Sequence, residues 1–269
     1  MKAKLIPAIL LVIVVMISVS AHDLFLKLDS YFVRPNEKVS IKILNGSFQG
    51  SDGAVSFARL ADVSVISPSQ DRENVKETDF TKDDKTSYIG MQPMEPGNYV
   101  VGLSTMTREI DLAAKDFNEY LVEDGIPDTL DERKAKNEMD RSVRERYSKH
   151  VKTVFQVGDR KTGNYKAVFG YPVEIVPQNN PYSLKVGDSF EFLCLKAGKP
   201  IAHQFVMTGY DDGTNLRIGE NVRSDKKGVA KLKISVAGKW YVKFINMSRL
   251  DDPKINYESK WASLSFEAR

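Results

Sequence analysis

The 269-residue chain carries three histidines, His22, His150 and His203, and one cysteine, Cys194. Imidazole nitrogens ligate copper, nickel and zinc and serve as general bases, so three of them permit at most one small histidine site. A lone cysteine excludes an internal disulfide framework and any multi-cysteine zinc cluster. Cys194 falls in an apolar run, where a free thiol is an inert core residue. Met91 and Met94 are the close methionine pair of the chain after residue 21, thin support for a thioether copper(I) site. The acidic pairs Asp211-Asp212 and Asp251-Asp252 lie in polar stretches, where neighbouring carboxylates are normally solvated. The chain shows no G-x-S-x-G elbow, phosphate-binding loop or H-E-x-x-H helix. No catalytic residue is therefore assigned, and the protein is not expected to be an enzyme.

The position of His22 gives it a special chemistry. Residues 1–21, MKAKLIPAILLVIVVMISVSA, have a positive start at Lys2 and Lys4, an apolar stretch from Leu5 to Val19, and the small-residue ending Val19-Ser20-Ala21. This is the pattern of a cleaved secretory signal peptide. Its apolar stretch is shorter than the roughly 20 residues that span a bilayer. Cleavage after Ala21 makes His22 the first residue of an exported, periplasmic or secreted protein. A free α-amine and the Nδ1 of the same histidine can chelate one ion, and amine and imidazole nitrogens suit copper and nickel. The α-amine titrates near about 7.7–8.0, so a metal can displace its proton around neutral pH. A three-nitrogen site needs one more histidine, and His150 and His203 are the candidates.

The elements that must position these residues are mostly strands. Val39, Ile41 and Ile43 alternate with polar residues, Val63 to Ile66 forms a short apolar run, and Glu95-Pro96-Gly97-Asn98 is a turn before Tyr99 to Leu103. Residues 68–87 read as an exposed hairpin or loop. From about 108 the period changes: Ile110, Ala113, Ala114, Phe117, Tyr120 and Leu121 recur at helical spacing. Gly125 to Asp128 breaks that helix, and Thr129-Leu130-Asp131-Glu132 resembles a capping box that opens a second helix across 131–150. Met139, Val143, Tyr147 and Val151 form its apolar stripe, which places His150 at the helix end. Six or seven short strands with turn signals follow, and His203 is expected mid-strand, sharing a face with Ile201, Phe205 and Met207. The expected architecture is mainly β: two β-sandwich domains of immunoglobulin or prealbumin type, over 22–107 and 153–269, with a helical insertion over 108–152.

Charge narrows the partners. Lys and Arg number 39 against 36 Asp and Glu, and loss of Lys2 and Lys4 with the leader would lower the net charge from +3 to +1. So balanced a chain offers no global attraction for nucleic acid or anionic membrane.

Ala21 to Leu26, Glu145 to Lys152 and Trp261 to Phe266, among other segments, resemble the family known as domain of unknown function 4198. Ala21-His22-Asp23-Leu24-Phe25-Leu26 is similar to the start of its mature proteins. The resemblance continues through Leu44 to Phe48, Phe117 to Leu121 and Glu145 to Lys152. It returns in Gly170 to Pro177, in Asn180-Pro181-Tyr182 and in Trp261 to Phe266. The chain departs from the family pattern at Phe25, where relatives often have tryptophan, and at Asn246, where some carry histidine. The resemblance implies a NikM-like periplasmic component of cobalt or nickel uptake that serves a membrane transporter. It favours His22 and then His150 as ligands of copper, nickel or cobalt, with His203 third. The alternative is a non-metal β-sandwich module that binds a glycan, a peptide or a cell-envelope partner through exposed Trp240, Trp261, Tyr182 or Tyr210.

Overall fold

A computed structural model describes residues 22–69 and 71–269. The expected signal peptide, residues 1–21, lies outside the described residues. The fold is mainly β, with three sheets stacked as layers. The first sheet joins Asp23–Lys27, Val39–Gly46, Ser87–Met91 and Phe80–Lys82 in that order, all antiparallel. The third sheet is built on Ser189–Lys196, which pairs with Val173–Pro177 on one side and Val229–Lys233 on the other. Between them runs a long sheet that takes strands from both halves of the chain, from Arg72–Asn74 at one edge to Leu216–Ile218 at the other. Two sandwiches thus share a central wall. Hydrogen bonding crosses both expected domain boundaries.

The strand Val143–Val157 is the spine of that wall. It pairs in parallel with Tyr257–Ala268 from Glu145 to Thr153, and antiparallel with Arg108–Leu112 and Gly97–Thr105 at its two ends. At about 3.3 Å per residue, 15 residues reach roughly 50 Å, enough to serve both sandwiches. Its two faces are covered by different sheets. Lys149 and its odd-numbered neighbours face the strand Asp23–Lys27, whereas Lys152 and its even-numbered neighbours face the Phe169–Glu174 segment. From Ser148 to Val157 every residue is buried. Strands covered on both faces lose the apolar–polar alternation that marks half-buried ones.

The helix expected over 131–150 is corrected by this strand. Only α1, Ala114–Glu123, and α2, Pro127–Ala135, are helical in the segment 108–152. A spacing of four, as in Met139, Val143, Tyr147 and Val151, satisfies a strand's period of two as well as a helix's face. The β-branched Val151, Thr153, Val154 and Val157 then favour the strand. Helix α2 also begins earlier than expected, with Pro127 in its first turn, so Thr129 is a buried helical residue and not the cap. In α1 the expected inward residues Phe117, Tyr120 and Leu121 are buried. The 68–87 segment contains the short edge strands Arg72–Asn74 and Phe80–Lys82. Among the described residues no helix is long and apolar enough to cross a membrane.

Candidate functional site

The three histidines do not converge. His150 lies within the central strand, 3% exposed, on the face turned toward the third sheet. Its Nδ1 is 2.9 Å from Ser104 Oγ and its Nε2 is 3.0 Å from Ser148 Oγ. Both ring nitrogens are therefore occupied, and the Tyr171 ring packs at 5.8 Å. Burial, with a smaller contribution from Lys260, lowers the imidazole pKa to about 4. His22 belongs to the opposite face of the wall, where its carbonyl accepts a hydrogen bond from Lys149 Nζ. The sheet itself separates the two imidazoles, so His150 cannot join a His22 chelate.

His203 is corrected too. It sits in an exposed turn with φ of 59°, and the strand begins only at Phe205. Ser224 makes that turn: its carbonyl accepts the His203 N–H at 3.0 Å, and its hydroxyl donates to the Ile201 carbonyl at 2.6 Å. A backbone in the left-handed region cannot continue the Ile201–Phe205 alternation. Cys194 is buried and burial raises its thiol pKa, as expected of an inert core thiol.

His22 stands at the mouth of a cleft of about 310 Å³. Asp23, Asp52, Glu123 and Asp124 line it with no lysine or arginine, while Phe25, Phe48 and Tyr241 form an aromatic wall. The first sheet supplies His22 at the start of Asp23–Lys27, and the turn after Val39–Gly46 supplies Asp52. Asp124 comes from the C-terminal end of α1, where Gly125 takes φ of 69° to turn the chain away. The His22 Nδ1 is 3.1 Å from Asp52 Oδ2, and both side chains reach solvent.

A buried charge cluster holds the strand start in place. Lys243 Nζ bridges Asp23 and Asp124, at 2.5 and 2.9 Å. Burial alone would lower the Lys243 pKa, but Asp23 and Asp124 together raise it. Burial pushes Asp124 up to about 6 against the pull of Lys243. Lys149 caps the His22 carbonyl and lies 4.8 Å from the Trp261 ring, with burial lowering its pKa to about 8. Ser263 and Ser265 hydroxyls donate to the carbonyls of Leu24 and Leu26. The backbone from His22 to Leu26 is thereby fastened to the wall at alternate residues.

This geometry decides which residues fit a metal ion. Among the described residues, no group of three or more His, Cys, Asp or Glu side chains is placed to hold one. His22 and Asp52 supply two donor side chains, and a free α-amine on His22 would supply a third donor. The linear sequence singles out His22 but not Asp52. Asp23 and Lys149 were visible inside the family-like segments, whereas nothing in the linear sequence joins Asp124 and Lys243 to them. The aromatics expected on a glycan- or peptide-binding surface are elsewhere: Trp240, Trp261 and Tyr182 are buried, and half-buried Tyr210 packs on Trp240 at 4.6 Å.

Comparison with solved structures returns matches of low similarity. The D0-D1 domain of intimin shares 12% identity over 91% of this chain and 97% of that one, with a TM-score of 0.23. Murine CEACAM1b shares 10% identity over 92% and 99%, with a TM-score of 0.21. A DUF4785 family protein from Legionella pneumophila shares 8% identity over 81% of this chain and 50% of that one, with a TM-score of 0.26. Superpositions this loose carry no argument, and the sandwich architecture rests on the sheets themselves. No curated protein matches the sequence. The sequence model of one family does match, over residues 19–248, taking in the His22 strand, both helices and the central strand; the chain belongs to the family described as Domain of unknown function (DUF4198).

Proposed function

We propose that this chain is an exported β-sandwich protein that binds a transition-metal ion, Cu(II), Ni(II) or Co(II), at its mature amino terminus. The observation that supports this reading is the setting of His22. It opens into a cleft whose other ionisable residues are Asp23, Asp52, Glu123, Asp124 and Tyr241, while its carbonyl is tied to Lys149. Asp23 and Asp124 are paired with Lys243, so Asp52 and Glu123 are the carboxylates that attract a cation to a nitrogen chelate, and a fixed backbone reduces the entropy lost on binding. His22 would hold the ion through its α-amine and Nδ1. His150 and His203 are not ligands in this reading. Delivery to a membrane transporter for metal uptake is the role that the family resemblance suggests for such a carrier.

The test is calorimetric titration of the protein beginning at His22 with Cu(II), Ni(II) and Co(II) chlorides. The same protein with one alanine before His22 runs beside it. Stoichiometric binding that is lost on extension, and lost again in His22→Ala, is the expected result. Equal weak binding by all three proteins would refute the chelate.

A further inference from the structure

We propose that Asp52 is a further protein ligand of the His22 site, so that two nitrogens and one carboxylate oxygen hold the cation. This inference rests on the reading of His22 as the ligand-bearing residue. Its first support is the 3.1 Å separation of Asp52 Oδ2 from His22 Nδ1. Metal–ligand bonds of about 2.0–2.2 Å that meet near a right angle place neighbouring donor atoms about 3 Å apart. Among the described residues, no lysine or arginine pairs with the Asp52 carboxylate, and the His22 imidazole is the titratable group beside it.

The second support is the space reserved for that carboxylate. A Cβ on Gly46 would come within 2.7 Å of Asp52 Oδ2 and 2.8 Å of the Gly50 carbonyl. The absence of a side chain at Gly46 is what lets the 47–53 turn fold back and bring Asp52 beside His22. The turn is also pinned. Asp52 N–H donates to the Asn45 carbonyl at 2.9 Å, and Ser51 Oγ accepts the Asn45 N–H at 3.0 Å. Lys27 Nζ donates to the Phe48 carbonyl at 2.7 Å, beneath the packed rings of Phe25, Phe48 and Tyr241. A donor held this way is preorganised.

The chemistry selects the ion. An amine, an imidazole and a carboxylate suit Cu(II) and Ni(II), whereas Cu(I) prefers thiolate and thioether sulfur. The carboxylate also offsets part of the charge of a divalent ion, which a purely neutral nitrogen chelate does not.

The test uses the protein beginning at His22, titrated with Cu(II) and Ni(II) chlorides by calorimetry and followed by copper electron paramagnetic resonance. Asp52→Asn should keep one-to-one stoichiometry, lose about tenfold or more in affinity, and change the copper hyperfine splitting. Asp52→His should recover affinity and add a nitrogen coupling to the spectrum. Gly46→Ala should weaken binding in the same direction as Asp52→Asn, because it displaces the carboxylate without removing it. Unchanged affinity and spectrum in Asp52→Asn, with binding still abolished by one added residue before His22, would overturn the role of Asp52 and leave the His22 chelate standing. No binding by the protein beginning at His22 would overturn both.

Discussion

Replacing His150 with glutamine should make the fold less sensitive to acid. The imidazole is buried between Ser104 and Ser148, with each ring nitrogen bonded to a hydroxyl. A neutral ring donates one of those bonds and accepts the other; a protonated ring donates both, and the serine hydroxyls can rotate to accept. The main cost of protonation is therefore desolvation of the charge, which agrees with burial as the leading cause of a pKa near about 4. In the unfolded chain histidine titrates near about 6.5. Between these values the unfolded state binds more protons than the folded one, so this group's contribution to stability is present above about pH 6.5 and is lost as pH falls toward about 4. Integrating between about pH 7 and about pH 4.5 gives a loss of about 2 kcal/mol. Urea unfolding followed by tryptophan fluorescence measures it in both proteins. The wild type should lose about 2 kcal/mol more than His150→Gln over that interval, because the other titrating groups cancel in the difference. Parallel losses in the two proteins would refute a neutral, desolvated His150.

Two further predictions concern the buried charges of the central strand. Lys152 and Glu174 pair at 3.2 Å with almost no exposure, and the Glu174 carboxylate also accepts the N–H groups of Phe169 and Tyr171. Lys152→Met should cost about 3–5 kcal/mol in urea unfolding, because it leaves a buried carboxylate unpaired; Lys152→Met with Glu174→Gln together should cost less than the two single changes added. Glu145 has the opposite pH dependence to His150. Burial pushes it up to about 7 despite hydrogen bonds from Ser259 and Tyr120, so its proton is held more tightly in the folded state and stability falls as pH rises from about 4.5 through 7. Glu145→Gln should therefore gain about 2 kcal/mol more, relative to wild type, at about pH 8 than at about pH 5, read as a difference in urea midpoints at fixed slope.

Much of the fold was legible because local signals and tertiary packing agree. The strands at Val39–Gly46, Gly97–Thr105 and Ser189–Lys196 carry the β-branched and aromatic residues and the turn residues that strands require. Helix α1 was legible from the helical spacing of Ala114, Phe117, Tyr120 and Leu121, whereas Ile110, read with them, belongs to the strand Arg108–Leu112. The Val143–Val157 segment was not. Its fourfold apolar spacing fits two periods, and its charged Glu145, Lys149 and Lys152 suggest a solvated face. Those charges are buried, each satisfied by a partner that is remote in sequence: Ser259, His22 and Glu174.

The sequence by itself carries the pattern read as an export signal over residues 1–21, the β-rich patterning of the rest, the family, and the place of His22 next to the expected cleavage point. These are written in consecutive residues, whose periodicity and order need no knowledge of distant partners. The tertiary structure alone decided which side chains stand beside that histidine. Strand alternation sends Lys149 toward His22 and His150 to the other side of the wall. The turn over Gly46 brings Asp52 to the imidazole, and α1 brings Asp124 to Lys243. Each of these contacts depends on sheet register and layer order, which are set by long-range pairing between strands far apart in the chain.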